Sequence, residues 1–282
     1  MNENVKNRWK HVLLISLIGM SSSFVQAKEP SVKVDKEIRV LMIGHSFFAC
    51  CGGMHNILAE VLESKGYEPT CEYITGSMGI AVPNNLYSER SEVRAERYAR
   101  DQARFSTVIQ KPWDYVVAIG GAYGPNYKGQ ERMNEEARLL VGKVKERNPD
   151  AKVILYLNHA KRGELHKQDA YSAAYREAAE VSGSMVTPAG EAWRLALQER
   201  PDLLLHRNDQ GDNHPGFAGS YLSACTIFAT LTGETPVGAM TETKKEYVCF
   251  KLKTPFAVEK ETGDFLQEIA WRAYQEEDKG RE

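Results

Sequence analysis

Apolar runs alternate with amphipathic runs along most of the chain. Runs typical of buried strands occur at 37–44, 70–76, 113–121 and 152–159, with a shorter apolar piece at 184–190. Helical patterns occur at 54–66, 88–105, 130–149, 167–182, 191–200 and 217–233. A hairpin or loop at 245–252 and an amphipathic helix near 262–276 follow. The alternation predicts an α/β fold whose parallel sheet is covered on both faces.

The N-terminus has the pattern of a secretory signal. Three basic residues (Lys6, Arg8 and Lys10) precede an apolar run at 11–20, and small residues at Val25 and Ala27 fit a cleavage site. The apolar run is too short to span a bilayer, which needs about 20 apolar residues. We predict cleavage after Ala27, with an uncleaved anchor as the alternative. The mature protein would then be periplasmic or extracellular, without contact to a membrane.

Residues 28–282 contain no internal repeat, low-complexity segment or linker. We therefore expect a single domain with a core at about 37–236 and a C-terminal extension of hairpin and helix at 237–282. The formal net charge is −2, without a basic stripe, so nucleic acid is not an expected partner.

The chain contains five cysteines, which is an odd number for an exported protein. A bridge from Cys50 or Cys51 to Cys71 could fix the segment that follows the first strand. Alternatively, these residues are buried small hydrophobic side chains. Their spacing does not resemble a zinc site.

Ser46 follows the first predicted strand directly, after Gly44 and His45. In parallel sheets, ligand sites lie at the carboxyl ends of the strands. Two other strands end in glycines that allow backbone N–H groups to approach a substrate: Gly76, and the pair Gly120 and Gly121. Ser46 is therefore a candidate nucleophile.

A serine nucleophile needs a base within hydrogen-bond reach. His214 is the best candidate among the histidines, because Asp212 lies two residues before it and Pro215 stiffens the turn after it. This arrangement places a carboxylate where it can orient the imidazole, as in a catalytic triad. His45 should point away from Ser46, and His159 could line the same cleft.

A Gly-x-Ser at the end of the first strand, a late Asp/His loop and the block "HPGFAGSYLSACTIFATLTGETP" resemble the SGNH (GDSL-type) hydrolase superfamily, most closely its exported bacterial branch. The resemblance covers residues 37 to about 236. It implies a flavodoxin-like three-layer α/β/α sandwich with about five parallel strands. It also implies ester hydrolysis through an acyl-enzyme, without a cofactor or metal.

The resemblance assigns Ser46 as nucleophile, His214 as base and Asp212 as the residue that orients His214. The oxyanion hole would use the backbone N–H groups of Ser46 and Gly76. The family usually places two residues between acid and base, whereas Asn213 alone separates Asp212 from His214, so Asp209 is the alternative acid.

The family's third oxyanion donor, a polar side chain after the third strand, has no match in "VVAIGGAYGP". The backbone of Gly120 or Gly121, or the side chain of Asn158, could replace it. Loss of such a donor costs about 10²–10³ in rate. His45 also stands where the family commonly has Asp or Asn.

These assignments predict a serine esterase that acts on small acyl esters, foremost acetyl esters of a carbohydrate. Its partner would be a small-molecule or glycan ester. Two alternatives stay open. A non-catalytic carbohydrate-binding module would keep the fold and lack a working oxyanion hole. A metal-dependent phosphoesterase would use "GDNH" for metal ligands, but it needs further Asp and His residues at earlier strand ends.

Overall fold

The computed structural model describes residues 36–75, 92–120, 129–208, 211–249 and 252–280. Its central sheet contains five parallel strands in the order β2-β1-β3-β4-β5. The strands are β1 (Glu37–Gly44), β2 (Glu68–Thr75), β3 (Tyr115–Ile119), β4 (Lys152–Tyr156) and β5 (Met185–Thr187). The predicted parallel sheet of about five strands is therefore confirmed.

Eight α-helices occur within the described residues. They are α1 (Ser46–Ala49), α2 (Met54–Ser64), α3 (Glu92–Val108), α4 (Gln130–Lys145), α5 (Gln168–Ser182), α6 (Ala189–Glu199), α7 (Phe217–Thr232) and α8 (Lys260–Lys279). A two-stranded antiparallel hairpin, β6 (Glu242–Cys249) and β7 (Leu252–Ala257), precedes α8. None of the helices in the described ranges is long and apolar enough to cross a membrane.

The two faces of the sheet carry separate hydrophobic cores, which makes three layers. In β1, Val40 and Met42 pack with α2, α6, α7 and α8 on one face. Leu41 and Ile43 pack with α3, α4 and α5 on the other. All four side chains are fully buried, and each such burial stabilises the fold by about 1.5–3 kcal/mol. Burial of both faces explains why β3 and β4 are nearly continuous apolar runs without polar alternation.

Element ends differ from the sequence prediction where side chains bond to the backbone. The helical pattern at 130–149 ends earlier, at Lys145. Asn148 instead accepts a hydrogen bond from the N–H of Trp113 and donates to the carbonyl of Ile109. These bonds fix the turn before β4 and hold Trp113 ahead of β3, so that the strand is shorter than predicted.

The segment between β1 and α2 is folded more tightly than the sequence indicates. It forms α1 and then a 3₁₀ turn at Cys50–Gly52. The suggested bridge to Cys71 is wrong, because Cys71 is a free thiol on β2. Cys50 and Cys51 are buried, as the alternative interpretation predicts. The Cys50 thiol donates to the carbonyl of Ser46 at 2.9 Å, which ties this segment to the start of α1.

Candidate active site

Ser46 is the first residue of α1, directly beyond the carboxyl end of β1. The chain can turn here because Gly44 has no side chain: a Cβ atom at Gly44 would lie 2.4 Å from the ring of Phe48. Phe47 and Phe48 are buried and anchor α1, whereas Ser46 is exposed. The backbone N–H of Ser46 has no partner within the helix, because the first N–H groups of a helix have none. Hydroxyl and N–H are thus presented at the rim of the sheet.

His45 caps α1. Its Nδ1 atom accepts the N–H of Phe47 at 3.3 Å, so the neutral ring carries its proton on Nε2. Burial lowers the pKa of His45 to about 4, against the opposing effect of the Gly120 backbone and with a small contribution from His214. His45 is therefore neutral at physiological pH. An Asp or Asn, which the resemblance implies at this position, would accept a helix N–H in the same way.

His214 lies on a loop closed by a short antiparallel pairing. The N–H of Arg207 donates to the carbonyl of His214, and the N–H of Gly216 donates to the carbonyl of Leu205, both at 2.8 Å. His206 and Pro215 form the β-bridge between these two bonds. The thiol of Cys51 donates to the carbonyl of Pro215 at 3.6 Å. This contact joins the segment between β1 and α2 directly to the loop of His214.

The structure brings Ser46, His214 and Asp212 together. The distance from Ser46 Oγ to His214 Nε2 is 2.9 Å, and from His214 Nδ1 to Asp212 Oδ1 it is 2.7 Å. Because a carboxylate only accepts, Nδ1 carries the proton. Nε2 is then free to accept the proton of the Ser46 hydroxyl. This is the geometry that a serine nucleophile requires of its base and of the residue that orients the base. Asp209 lies outside the described residues.

Both carboxylate oxygens of Asp212 have partners. Oδ1 accepts from the backbone N–H of His214 at 2.9 Å as well as from its ring, and Oδ2 contacts the guanidinium of Arg207. Burial alone would raise the pKa of Asp212, but the two hydrogen bonds from His214 and the charges of His214 and Arg207 outweigh it and lower this pKa. Asp212 is therefore a carboxylate, fixed in orientation, throughout the neutral range.

Two of the suggested oxyanion donors have partners in the protein interior. The side-chain amide of Asn158, which is fully buried, donates to the hydroxyl of Tyr175 at 3.0 Å. The backbone of Gly120 also bonds to this hydroxyl. Gly76 and Gly121 lie outside the described residues. Ser46, in contrast, is exposed at the start of α1, where no helical bond uses its N–H group.

His159 lies beneath the site and does not line a cleft. It is 2% exposed and stacks between Trp193, at 3.8 Å between ring centroids, and Phe47, at 4.9 Å. Burial lowers its pKa to about 3, opposed by a hydrogen bond with the backbone of Asn213 and strengthened by neighbouring histidines. His206, also buried, packs edge-on against Trp193. These two rings are neutral at physiological pH and pack against Trp193 in the interior.

Sequence reasoning missed Arg207 and Asn213. One arginine and two aspartates occur in "HRNDQGDNH", which is a signal for an ion pair of Arg207 but does not distinguish Asp209 from Asp212. The contacts of Asn213, in contrast, are with the loop that follows β4, some fifty residues earlier. No local pattern reveals contacts at that separation.

Comparisons with known proteins identify relatives by structure. No protein-family model matches the chain, and no curated protein matches it in sequence. A DUF4886 family protein from Bacteroides uniformis shares the fold with a TM-score of 0.61 and 17% identity, over 85% of this chain and 95% of that one.

Two further solved structures match over a smaller part of the chain. The periplasmic domain of the Salmonella ser. Paratyphi A lipopolysaccharide acetyltransferase aligns with a TM-score of 0.50 and 13% identity, over 70% of this chain and 84% of that one. The lipase/acylhydrolase from Enterococcus faecalis aligns with a TM-score of 0.47 and 14% identity, over 70% and 96%.

At these identities the likeness is one of fold. The sheet order, the two buried faces and the match to the Bacteroides uniformis protein agree with one another. The chain has the three-layer α/β/α fold that its resemblance to the SGNH (GDSL-type) hydrolases predicts.

Proposed function

We propose that this protein is a serine esterase of the SGNH type that hydrolyses small acyl esters, foremost acetyl esters of carbohydrates. The observation that carries the proposal is the continuous chain of hydrogen bonds from Ser46 through His214 to Asp212, at 2.9 and 2.7 Å. These three residues come from two segments far apart in sequence. Their convergence at the carboxyl edge of the sheet is the position expected for a site in this class of fold.

The proposed reaction has two halves. In acylation, Ser46 Oγ attacks the ester carbonyl while its proton passes to His214 Nε2. The tetrahedral oxyanion is stabilised by the N–H of Ser46 and, by family resemblance, that of Gly76. His214 then returns the proton to the leaving alcohol as the ester bond breaks. In deacylation, water gives a proton to His214 and attacks the acyl carbon. His214 then returns that proton to Ser46 Oγ as the bond between the acyl group and Oγ breaks and the acid is released.

Asp212 has two effects in this mechanism. Its hydrogen bond to Nδ1–H holds the imidazole with Nε2 facing Ser46. Its negative charge also stabilises the imidazolium that forms during each half-reaction. The low pKa of Asp212, maintained by His214 and Arg207 against the effect of burial, keeps that charge in place.

The choice of substrate depends on resemblance rather than on described contacts. Ser46 is exposed, so that an acyl group on a large glycan could reach it from outside. One fold neighbour is the periplasmic domain of a protein named as a lipopolysaccharide acetyltransferase. Export, with cleavage of the signal after Ala27, is part of the proposal. It predicts a secreted form whose mass corresponds to a chain beginning at Lys28.

A non-catalytic carbohydrate-binding module is the second candidate. The observation in its favour is that Asn158 and Gly120, two of the suggested third oxyanion donors, bond to the buried Tyr175 hydroxyl. A site with too few donors would bind an ester and turn it over slowly or not at all.

Hydrolysis of p-nitrophenyl acetate by the purified mature protein tests the proposal. We expect turnover that survives EDTA and falls by about 10⁴-fold or more in Ser46→Ala, because the nucleophile is lost. Ser106→Ala, on the exposed face of α3, is the matched control and should retain wild-type activity. Loss of activity in EDTA would indicate the phosphoesterase-like metal site, and absence of turnover on any acyl ester would indicate the binding module.

A further inference from the structure

The turn that carries the acid and the base is unusually short. One residue, Asn213, separates Asp212 from His214, and Asp212 Oδ1 bonds both to the N–H of His214 and to its ring. A side-chain oxygen that bonds two residues ahead forms an Asx-type turn. In such a turn, the orientation of the middle residue decides whether the carboxylate and the imidazole meet. The contacts of Asn213 are therefore informative.

The backbone carbonyl and the side-chain oxygen of Asn213 both accept hydrogen bonds from the loop that follows β4. The backbone carbonyl of Asn213 accepts from His159 Nε2 at 3.0 Å, which places the proton of the neutral His159 ring on Nε2. The side-chain Oδ1 of Asn213 accepts from the backbone N–H of Arg162 at 2.9 Å. The Arg162 guanidinium adds a bond to the carbonyl of Asn208 at 2.6 Å. Three hydrogen bonds thus join the two loops.

The loop that holds Asn213 is itself fixed in the interior. Gln168, fully buried at the start of α5, accepts the N–H of Ala160 at 2.7 Å and donates to the carbonyl of Asn158 at 3.1 Å. His159 cannot rotate freely, because Trp193 and Phe47 cover the two faces of its ring. His159, which holds the Asn213 carbonyl, is consequently part of the buried core, whereas Arg162, which holds the Asn213 side chain, lies on the exposed part of the same loop.

We propose that Asn213 is a positioning residue, which holds Asp212 and His214 in contact across a single intervening residue through its bonds to His159 and Arg162. This inference rests on the proposed esterase function, because the contact that it maintains is the one between acid and base. Asn213 does not touch the substrate in this scheme. It fixes the orientation of the imidazole relative to Ser46, on which the rate of proton transfer depends.

Kinetics of Asn213 variants on p-nitrophenyl acetate test the proposal. Asn213→Ala removes the Oδ1 acceptor, and we expect kcat to fall about 10- to 100-fold with KM within about twofold of wild type. Asn213→Asp restores an acceptor of the same shape and should recover most of kcat. Asp202→Asn is the control, because Asp202 is exposed in the same segment between α6 and α7. This variant should behave as wild type.

A second variant removes the hydrogen bond between His159 and the carbonyl of Asn213. His159→Phe keeps a ring between Trp193 and Phe47 but removes the donor to the Asn213 carbonyl, so we expect a similar fall in kcat. A rise in KM with unchanged kcat in both variants would contradict the proposal. So would a fall in kcat for Asn213→Ala that Asn213→Asp does not relieve.

A readout independent of turnover separates this inference from the proposed function. The proton on His214 Nδ1, bonded to Asp212, should give a downfield ¹H NMR signal in the wild-type protein that disappears or shifts in Asn213→Ala. If the wild type does not hydrolyse esters but Asn213→Ala loses the signal, the esterase proposal fails and the positioning role stands. An unchanged signal in Asn213→Ala would overturn the positioning role.

Discussion

Asp212 shows how much a single side chain contributes to the geometry of the site. One oxygen bonds to His214 twice and the other contacts Arg207, so that the carboxylate cannot rotate without breaking one of these contacts. It is also only 12% exposed, and its interactions are screened less than those of a surface ion pair. The tautomer of His214 is a direct consequence of this fixed acceptor.

Asp212→Asn tests that consequence. An amide can donate to Nδ1, and the imidazole would then carry its proton on Nε2, where it cannot accept from Ser46. We expect kcat to fall by about 10²–10⁴-fold with little change in thermal stability. Steady-state kinetics and thermal melts would measure both. If Asp209→Asn lost activity instead, Asp209 would be the acid and our assignment of Asp212 would be wrong.

At this scale, the sequence predicted the residues whose chemistry is local. Gly44, His45 and Ser46 are consecutive, and one residue separates Asp212 from His214. His159 could be suspected from its place after a strand, but its burial depends on Trp193 and Phe47, which come from α6 and α1. Stacking among three distant segments leaves no pattern in any one of them.

Helix α7 fixes the loop of His214 from the other side. It begins two residues after Pro215, and its Gly219 lies against the carbonyl of Leu205, in the segment that pairs with the His214 loop. A Cβ atom at Gly219 would be 2.3 Å from that carbonyl oxygen and 2.4 Å from the Trp193 ring. Gly219 therefore allows a close approach between α7 and the segment around Leu205.

Gly219→Ala should destabilise the fold by about 1–3 kcal/mol, because backbone or Trp193 must move to admit the methyl group. Denaturant unfolding would measure this loss. Gly142→Ala is the matched control: it lies in α4 with no atom within 4 Å of the added Cβ, so we expect a gain of up to about 1 kcal/mol from helix propensity. Equal effects of the two substitutions would contradict the close approach.

The order and type of most elements followed from hydrophobic periodicity. Four strands of the sheet and the long helices occur close to their predicted positions, and β5 forms within the apolar piece at 184–190. The exception is residues 46–52, where α1 and the 3₁₀ turn depend on the His45 cap and on Cys51, which has a φ of 52°. Left-handed backbone at a non-glycine residue is held by its surroundings, and propensity does not predict it.

For the molecule as a whole, buried neutral histidines couple stability to pH. The pKa of His159 is about 3 in the folded state, against about 6.5 for an exposed histidine, because burial disfavours its charged form. Between these values the unfolded chain binds a proton at this residue and the folded protein does not. The contribution of neutral His159 to the free energy of unfolding is therefore fully present above pH 6.5, and it is lost as the pH falls toward 3.

His159→Phe isolates this contribution. Between about pH 4 and 6, the free energy of unfolding of the wild type should fall more steeply than that of the variant, by up to about 1.4 kcal/mol per pH unit. Urea unfolding at several pH values would measure the two slopes. Parallel slopes would show that His159 does not stay neutral when folded.

The contact between Ser46 and His214 also bears on folding kinetics, since 168 residues separate them along the chain. Contacts of such separation form late, after loop-closure entropy has been overcome. In refolding from denaturant, we expect far-ultraviolet circular dichroism to recover before reactivity of Ser46 toward a fluorophosphonate. Simultaneous recovery would mean that Ser46 and His214 meet as early as the sheet forms.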